Sequence, residues 1–138
     1  MLIVAERVNA SRKAIRAALE ALDAAAIANE VHIQAAAGAH YIDVNGGTFP
    51  GREAELLCWL VDVAQAETRL PLCLDSPDPQ ALLAALARIK GERPMINSIN
   101  LEPERFEKIL PLARQYNAKL IALAQGEGVP AASAVEKV

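Results

Sequence analysis

The residues best suited to chemistry in this chain are carboxylates and carboxamides that follow short apolar runs. Glu6 and Asn9 come first, then Asp43 and Asn45, Asp75 and Ser76, Asn97 and Ser98, and finally Gln125. Side chains alternate along a strand, so Asp43 and Asn45 share one face if their segment is extended. If Asp75 and Asn97 end their own strands in the same sense, all four converge on one mouth. A carboxylate can accept two parallel hydrogen bonds from an amino group and its neighbouring ring N–H, and a carboxamide reads a donor–acceptor edge. The set therefore suits a flat heterocycle with several N–H donors and ring-nitrogen acceptors. Any single Asp or Asn at a strand end can equally start a turn or cap a helix. For Ser76 and Asp78, just before Pro79, capping is a sufficient account. The full set is harder to explain that way, because uncompensated carboxylates in a shared cavity cost free energy. They need a ligand rich in donors, water, or bound cations.

Other chemistries find less support. No histidine or cysteine closes an apolar run, which disfavours a zinc site. His32 and His40 are the two histidines and neither follows a strand, so a Ser-His-Asp arrangement is disfavoured and surface or packing roles are expected for both. Gly46-Gly47, after Asn45, could form a nest of backbone N–H groups for an anion, but a tight turn explains the pair more simply. No Gly-rich dinucleotide or nucleotide loop is present.

These residues need elements that aim them. Five apolar runs recur: Leu2 to Val8, Tyr41 to Asn45, Pro71 to Asp75, Pro94 to Ser98 and Lys119 to Gln125. Their near-continuous hydrophobicity fits strands buried on both faces, hence a parallel sheet. Between them the spacing is helical. Ser11 can cap a helix through Ile15 and Leu19; Asp23 can cap a second, which Gly38 would end. Glu53 to Ala66 places Leu56, Leu57, Leu60 and Val63 near one face. Pro79 suits the start of a helix through Leu82, Leu83, Leu86 and Ile89, and Pro103 one carrying Phe106, Ile109, Leu110 and Ala113. The expected fold class is α/β with about five parallel strands and right-handed crossovers. An open doubly wound sheet and part of a closed (β/α) barrel both accommodate this pattern, and periodicity does not choose between them. In either, ligands meet the carboxyl ends of the strands.

Composition narrows the class further. The chain has 138 residues and a formal net charge of −3, which favours one domain and, without a basic stripe, argues against a nucleic-acid partner. Apolar residues make up 53% and aromatic ones only 4%, so the core must be aliphatic. Cys58 and Cys73 sit among apolar neighbours, outside any metal or redox motif, and are expected to be buried, reduced thiols in a cytoplasmic protein. The N-terminus lacks a signal peptide's pattern, and no apolar stretch approaches the roughly 20 residues that span a bilayer.

Four segments in register carry a family resemblance. Met1-Leu2-Ile3-Val4-Ala5-Glu6-Arg7-Val8-Asn9, Tyr41-Ile42-Asp43-Val44-Asn45-Gly46-Gly47-Thr48, Leu72-Cys73-Leu74-Asp75-Ser76 and Met95-Ile96-Asn97-Ser98 resemble the methyltetrahydrofolate:corrinoid protein methyltransferases. The similarity runs through nearly the whole chain; the related dihydropteroate synthases share the fold but resemble it less. The resemblance implies a pterin-binding (β/α) barrel of the TIM type whose C-terminal mouth holds methyltetrahydrofolate. It implies transfer of the N5-methyl to the cobalt of a corrinoid (cobalamin-type) cofactor carried by a partner protein. Carried over by motif, Asp75 and Asn97 bind the pterin edge, with Asp43 and Asn45 in the same wall and Glu6 and Asn9 at the floor or rim. No catalytic residue is assigned, and no metal bound by the methyltransferase itself is required. Polar groups prearranged around N5 would stabilise its change in charge as the methyl departs.

Such a barrel needs eight strands and about 250 residues, and five are read here. The later strands' pterin-binding Asp and their Asn near N5 have no counterpart, so residues 1–138 are expected to form a truncated pterin-binding domain. Open strand edges expose backbone groups, which favours self-association, with Ile33 as possible extra apolar surface. Three readings follow: a fragment, split subunit or shortened form of the enzyme; a non-catalytic pterin-binding module or homodimer of partial barrels; and an open α/β scaffold domain that has lost ligand chemistry.

Overall fold

The computed structural model describes residues 1–47, 49–100 and 102–123. Five strands alternate with helices: β1 (Val4–Asn9), α1 (Lys13–Ala21), α2 (Ala24–Ala36), β2 (Tyr41–Asn45), α3 (Glu53–Glu67), β3 (Leu72–Asp75), α4 (Pro79–Leu86), β4 (Met95–Ile99), α5 (Pro103–Gln115) and β5 (Lys119–Ala122). All neighbouring strands pair in parallel, in the order β1-β2-β3-β4-β5. That order decides between the two candidate architectures. A doubly wound sheet reverses its strand order at a switch point; here each strand lies beside the next, and right-handed crossovers then put every helix on one face. The arrangement is that of a partial TIM-type barrel, with helices outside.

The outer face supplies the main core. Ile42, Val44, Leu72, Leu74 and Ile96 point outward from the strands and are essentially buried against Leu19, Ile27, Leu56, Leu57, Leu60, Leu82 and Ile109 from the helices. Each such aliphatic side chain contributes about 1.5–3 kcal/mol when fully buried. A smaller cluster of Tyr41, Cys73 and Met95, with Val4 and Ile121, lies on the inner face.

Capping side chains explain two of the five helix starts among the described residues. Asp23 accepts a hydrogen bond from Ala26 N at 3.0 Å, and Asp78 accepts one from Gln80 N at 2.9 Å beside Pro79. Gly38 follows α2 at a φ of +91°, the left-handed geometry that glycine tolerates. Four expectations need correction. Ser11 does not cap α1: Arg12 holds the capping position without a side-chain bond, and Ser11 N instead donates to Asn9 Oδ1 at 2.9 Å. Asn9 closes the turn, so Ser11 is left outside the helix. Val63 is only half-buried, because Val61 and Ala64 complete the inward stripe of α3. Ile89 lies past the end of α4 but still packs on the core. Phe106 is 43% exposed, while Ile109 and Ala113 are buried and Leu112 packs partly buried against the core.

The first strand is irregular. Its register with β2 shifts between Ala5 and Val8, leaving Glu6 and Arg7 in a bulge. Buried Gln34 compensates: its Oε1 accepts from Arg7 N at 2.9 Å. His40 and His32 are both exposed, in surface roles. His40 Nδ1 accepts from Ile3 N at 3.0 Å, and exposed His32 lies 3.0 Å from Glu67. Ile33 is 45% exposed. Among the described residues no helix is long and apolar enough to cross a membrane.

Candidate functional site

The parallel register sorts the inner-face polar groups into two levels. Asp75 pairs with Asn97, and Asn9 with Asn45; the Val44–Leu74 pairing puts Asn45 level with Asp75. One level below, Asp43 pairs with Cys73, which pairs with Met95. Parallel strands carry side chains of paired residues to the same face, so the sheet itself aims these groups together.

Hydrogen bonds then fix their orientations. Asn45 Nδ2 donates to Asp75 Oδ2 at 2.7 Å, while Gly47 N donates to Asn45 Oδ1 at 2.7 Å. The second bond decides which way the Asn45 amide faces. It also resolves the Gly46-Gly47 pair as a tight turn, since Gly47 N is engaged by a side chain rather than held free for an anion. Gly47 has a φ of +68°, and a Cβ there would collide with Ala10. Across the two levels, Asn97 Nδ2 donates to Asp43 Oδ2 at 3.2 Å.

What remains presented is rich in acceptors. Asn97 directs its amide N–H toward Asp43, leaving its carbonyl oxygen as acceptor, and Asp75 keeps Oδ1. Asp43 is 1% exposed, and its Oδ1 is buried without a well-formed hydrogen bond among the described residues. Burial away from water pushes its carboxyl up to about 6, with the charges of Asp75 and Glu6 adding to the effect. Hydrogen bonding from Asn97 and from the neighbouring Cys73 thiol pulls the other way. The Cys73 thiol is itself pushed far up, first by burial and then by Asp43, so it stays protonated.

Four of the six expected site residues thus lie together on one face as two hydrogen-bonded pairs, Asn45–Asp75 and Asn97–Asp43, set side by side by the sheet register. Glu6 is exposed in the β1 bulge, near enough for its charge to act on Asp43. Asn9 is half-buried at the end of β1, where its side chain closes the turn to Ser11. Ser76 and Asp78 serve the loop and the cap, as expected: Ser76 Oγ accepts from Asp78 N at 3.1 Å. Gln125 and Thr48 lie outside the described residues. A small recess of about 80 Å³ adjoins the constellation, lined by Asn45, Gly46, Gly47, Asp75 and Ser76 among others. A larger groove of about 690 Å³ lies at the opposite, amino-terminal end of the strands, lined by Asp62, Arg69, Arg88 and Lys90 among others. It is open, and none of the strand-end groups reaches it. Among the described residues no group of three or more His, Cys, Asp or Glu could hold a metal ion.

Sequence reasoning missed two participants. Cys73 reads as an apolar filler, yet it lies against Asp43. Arg105 reads as an ordinary helical residue, yet it bonds to the backbone just past Asp75 and Asn97. The available signal for Arg105 was its place in the first turn of a helix, where a positive charge is unfavourable and calls for another reason.

The fold and site together describe a partial (β/α) barrel with carboxylates and carboxamides at its strand ends. The chain belongs to the family described as pterin binding enzyme, which matches residues 5–137. It is 39% identical over 112 residues to the methylcorrinoid:tetrahydrofolate methyltransferase of Eubacterium limosum, a match covering 81% of this chain and 41% of that protein. It is also 34% identical to the methionine synthase of Mycobacterium tuberculosis over 146 aligned positions, covering 100% of this chain and 12% of that protein. The chain therefore spans less than half the length of either relative.

Proposed function

We propose that this chain forms a pterin-binding wall of a methyltetrahydrofolate-dependent methyltransferase, with the cobalt of a corrinoid protein as methyl acceptor. The observation that carries the reading is the acceptor-rich constellation of Asp75, Asn97, Asp43 and Asn45 on one face of the strand ends. The 2-amino group and adjacent ring N–H of a pterin form the paired donor edge that a carboxylate accepts in parallel. Asp75 takes that edge, oriented by Asn45, and the Asn97 carbonyl accepts a further ring N–H. Asp43 holds Asn97 in place from below. The Eubacterium limosum relative is named for transfer from methylcorrinoid to tetrahydrofolate. One pterin wall serves either direction, because a reaction and its reverse share their binding groups.

Calorimetric titration with methyltetrahydrofolate tests the reading, with Asp75→Ala alongside. Saturable binding by the wild-type chain is expected, with a loss of at least about tenfold in the variant, the scale of one charge-assisted hydrogen bond. A folded wild-type chain that gives no binding heat removes the reading and leaves a scaffold domain.

A further inference from the structure

Asp75 and Asn97 are the last paired residues of the β3–β4 ladder, so the chain just past them needs another tie to keep the two strand ends together. Asp75 is the last residue of β3 and is followed directly by the Ser76-Pro77-Asp78 loop; Asn97 lies within β4, two residues from its end. Each of these loops is closed locally by its own side chains. Ser76 Oγ accepts from Asp78 N, and Asn100 Oδ1 accepts from Glu102 N at 3.1 Å. Such local turns set the shape of one loop and do nothing to hold it against the other.

Arg105 spans both. Its Nε donates to Ser98 O at 2.7 Å, its Nη1 to Pro77 O at 3.0 Å, and its Nη2 to Ser76 O at 3.2 Å. Three nitrogens of one planar guanidinium are thus used on backbone carbonyls immediately past Asp75 and Asn97. The side chain is half-buried and lies in the first turn of α5, where the helix dipole disfavours a cation. A rigid fork can hold three acceptors at fixed angles, which a lysine ammonium on its flexible stem cannot.

We propose that Arg105 is a positioning residue for the pterin wall, tying the end of β3 to the end of β4 so that Asp75 and Asn97 meet one ligand together. The proposal rests on the pterin-binding reading for its ligand, but the tie itself is independent of any ligand. Binding groups held in advance cost less to order when the ligand arrives, so loosening them weakens affinity without removing a contact to the ligand.

The test uses Arg105→Met, which keeps the stem and loses the fork, and Arg105→Lys, which keeps the charge. Arg88→Met is the control, since Arg88 pairs with Asp62 at the opposite end. Thermal unfolding, amide hydrogen exchange and titration with methyltetrahydrofolate are measured on the whole chain. Exchange is expected to quicken at Ser76, Asp78 and Ser98 to Asn100, with other amides near wild type. Affinity should fall about tenfold in Arg105→Met, roughly one hydrogen bond's worth of positioning. Arg105→Lys should recover part of that loss, and Arg88→Met should bind like wild type. A folded Arg105→Met with unchanged loop exchange and affinity overturns the proposal, as does a general rise in exchange across the sheet. If Arg105→Met fails to fold, Arg105→Lys decides on the same two readouts. Should the wild-type chain bind no methyltetrahydrofolate, the pterin reading falls, while loop exchange still decides whether the tie exists.

Discussion

The same strands present two faces governed by different rules. Outward, Ile42, Val44, Leu72, Leu74 and Ile96 meet helices and are essentially buried. Inward, Tyr41, Cys73 and Met95 form a small apolar cluster, Asp43 stands level with Cys73 and Met95, and Asn45, Asp75 and Asn97 lie one level further toward the carboxyl end. The outer face is stabilised by apolar area, which tolerates no loss of volume. The inner face is organised by paired hydrogen bonds, which tolerate shape changes but not the removal of one partner. Stability and recognition are therefore separated by a single step of one residue along each strand.

That separation can be broken most severely from the outer side. Leu74→Ala should cost about 2–5 kcal/mol, since a fully buried leucine leaves a cavity among helix side chains that relax only in part. Urea unfolding reads the loss directly; a change well under 1 kcal/mol would mean the outer face is not the main core. On the inner side the larger effect depends on pH. Asp43 binds its proton more tightly when folded, at about 6 against an ordinary 3.8. Its contribution to stability is thus complete below the ordinary value and lost as pH rises through about 6. Asp43→Asn removes this dependence. Its stability relative to wild type should rise between pH 4 and pH 7 by no more than about 3 kcal/mol. Parallel pH profiles for the two proteins would show that Asp43 pays no desolvation cost. The smallest effect belongs to Tyr41→Phe, which removes the hydroxyl that donates to Arg93 O at 3.2 Å. About 1 kcal/mol or less is expected, because the apolar ring remains in place. A loss as large as that of Leu74→Ala would make the inner cluster an equal second core.

Much of this organisation is legible in the chain itself. Apolar runs closed by Asp or Asn, at positions of one parity within a strand, already place Asp43 with Asn45 and mark Asp75 and Asn97 as strand-end groups. Pro79 with Asp78 and Asp23 mark helix starts by chemistry that acts over two or three residues. What could not be read lies across the sheet. Strand order follows from how successive crossovers pack, so local periodicity left the barrel and the doubly wound sheet equal. The reach of Asn97 past its neighbour to Asp43 depends on the relative level of three strands, which no single segment encodes. The β1 bulge that displaces Glu6 is held by Gln34, 27 positions from the Arg7 N–H that it satisfies. Arg105 is distant in the same sense: its acceptors lie 29, 28 and 7 positions away.

Cys73, level with Asp43 on the neighbouring strand and kept as a thiol, gives the inner face a built-in timer. A protonated, fully enclosed sulfur is a poor nucleophile, so alkylating reagents and peroxide must wait until β3 comes away from its neighbours. Cys58, on α3, is only half-buried and is the more accessible of the two thiols. The interval between modification of one sulfur and the other therefore measures how often the polar wall of this domain dissolves and re-forms.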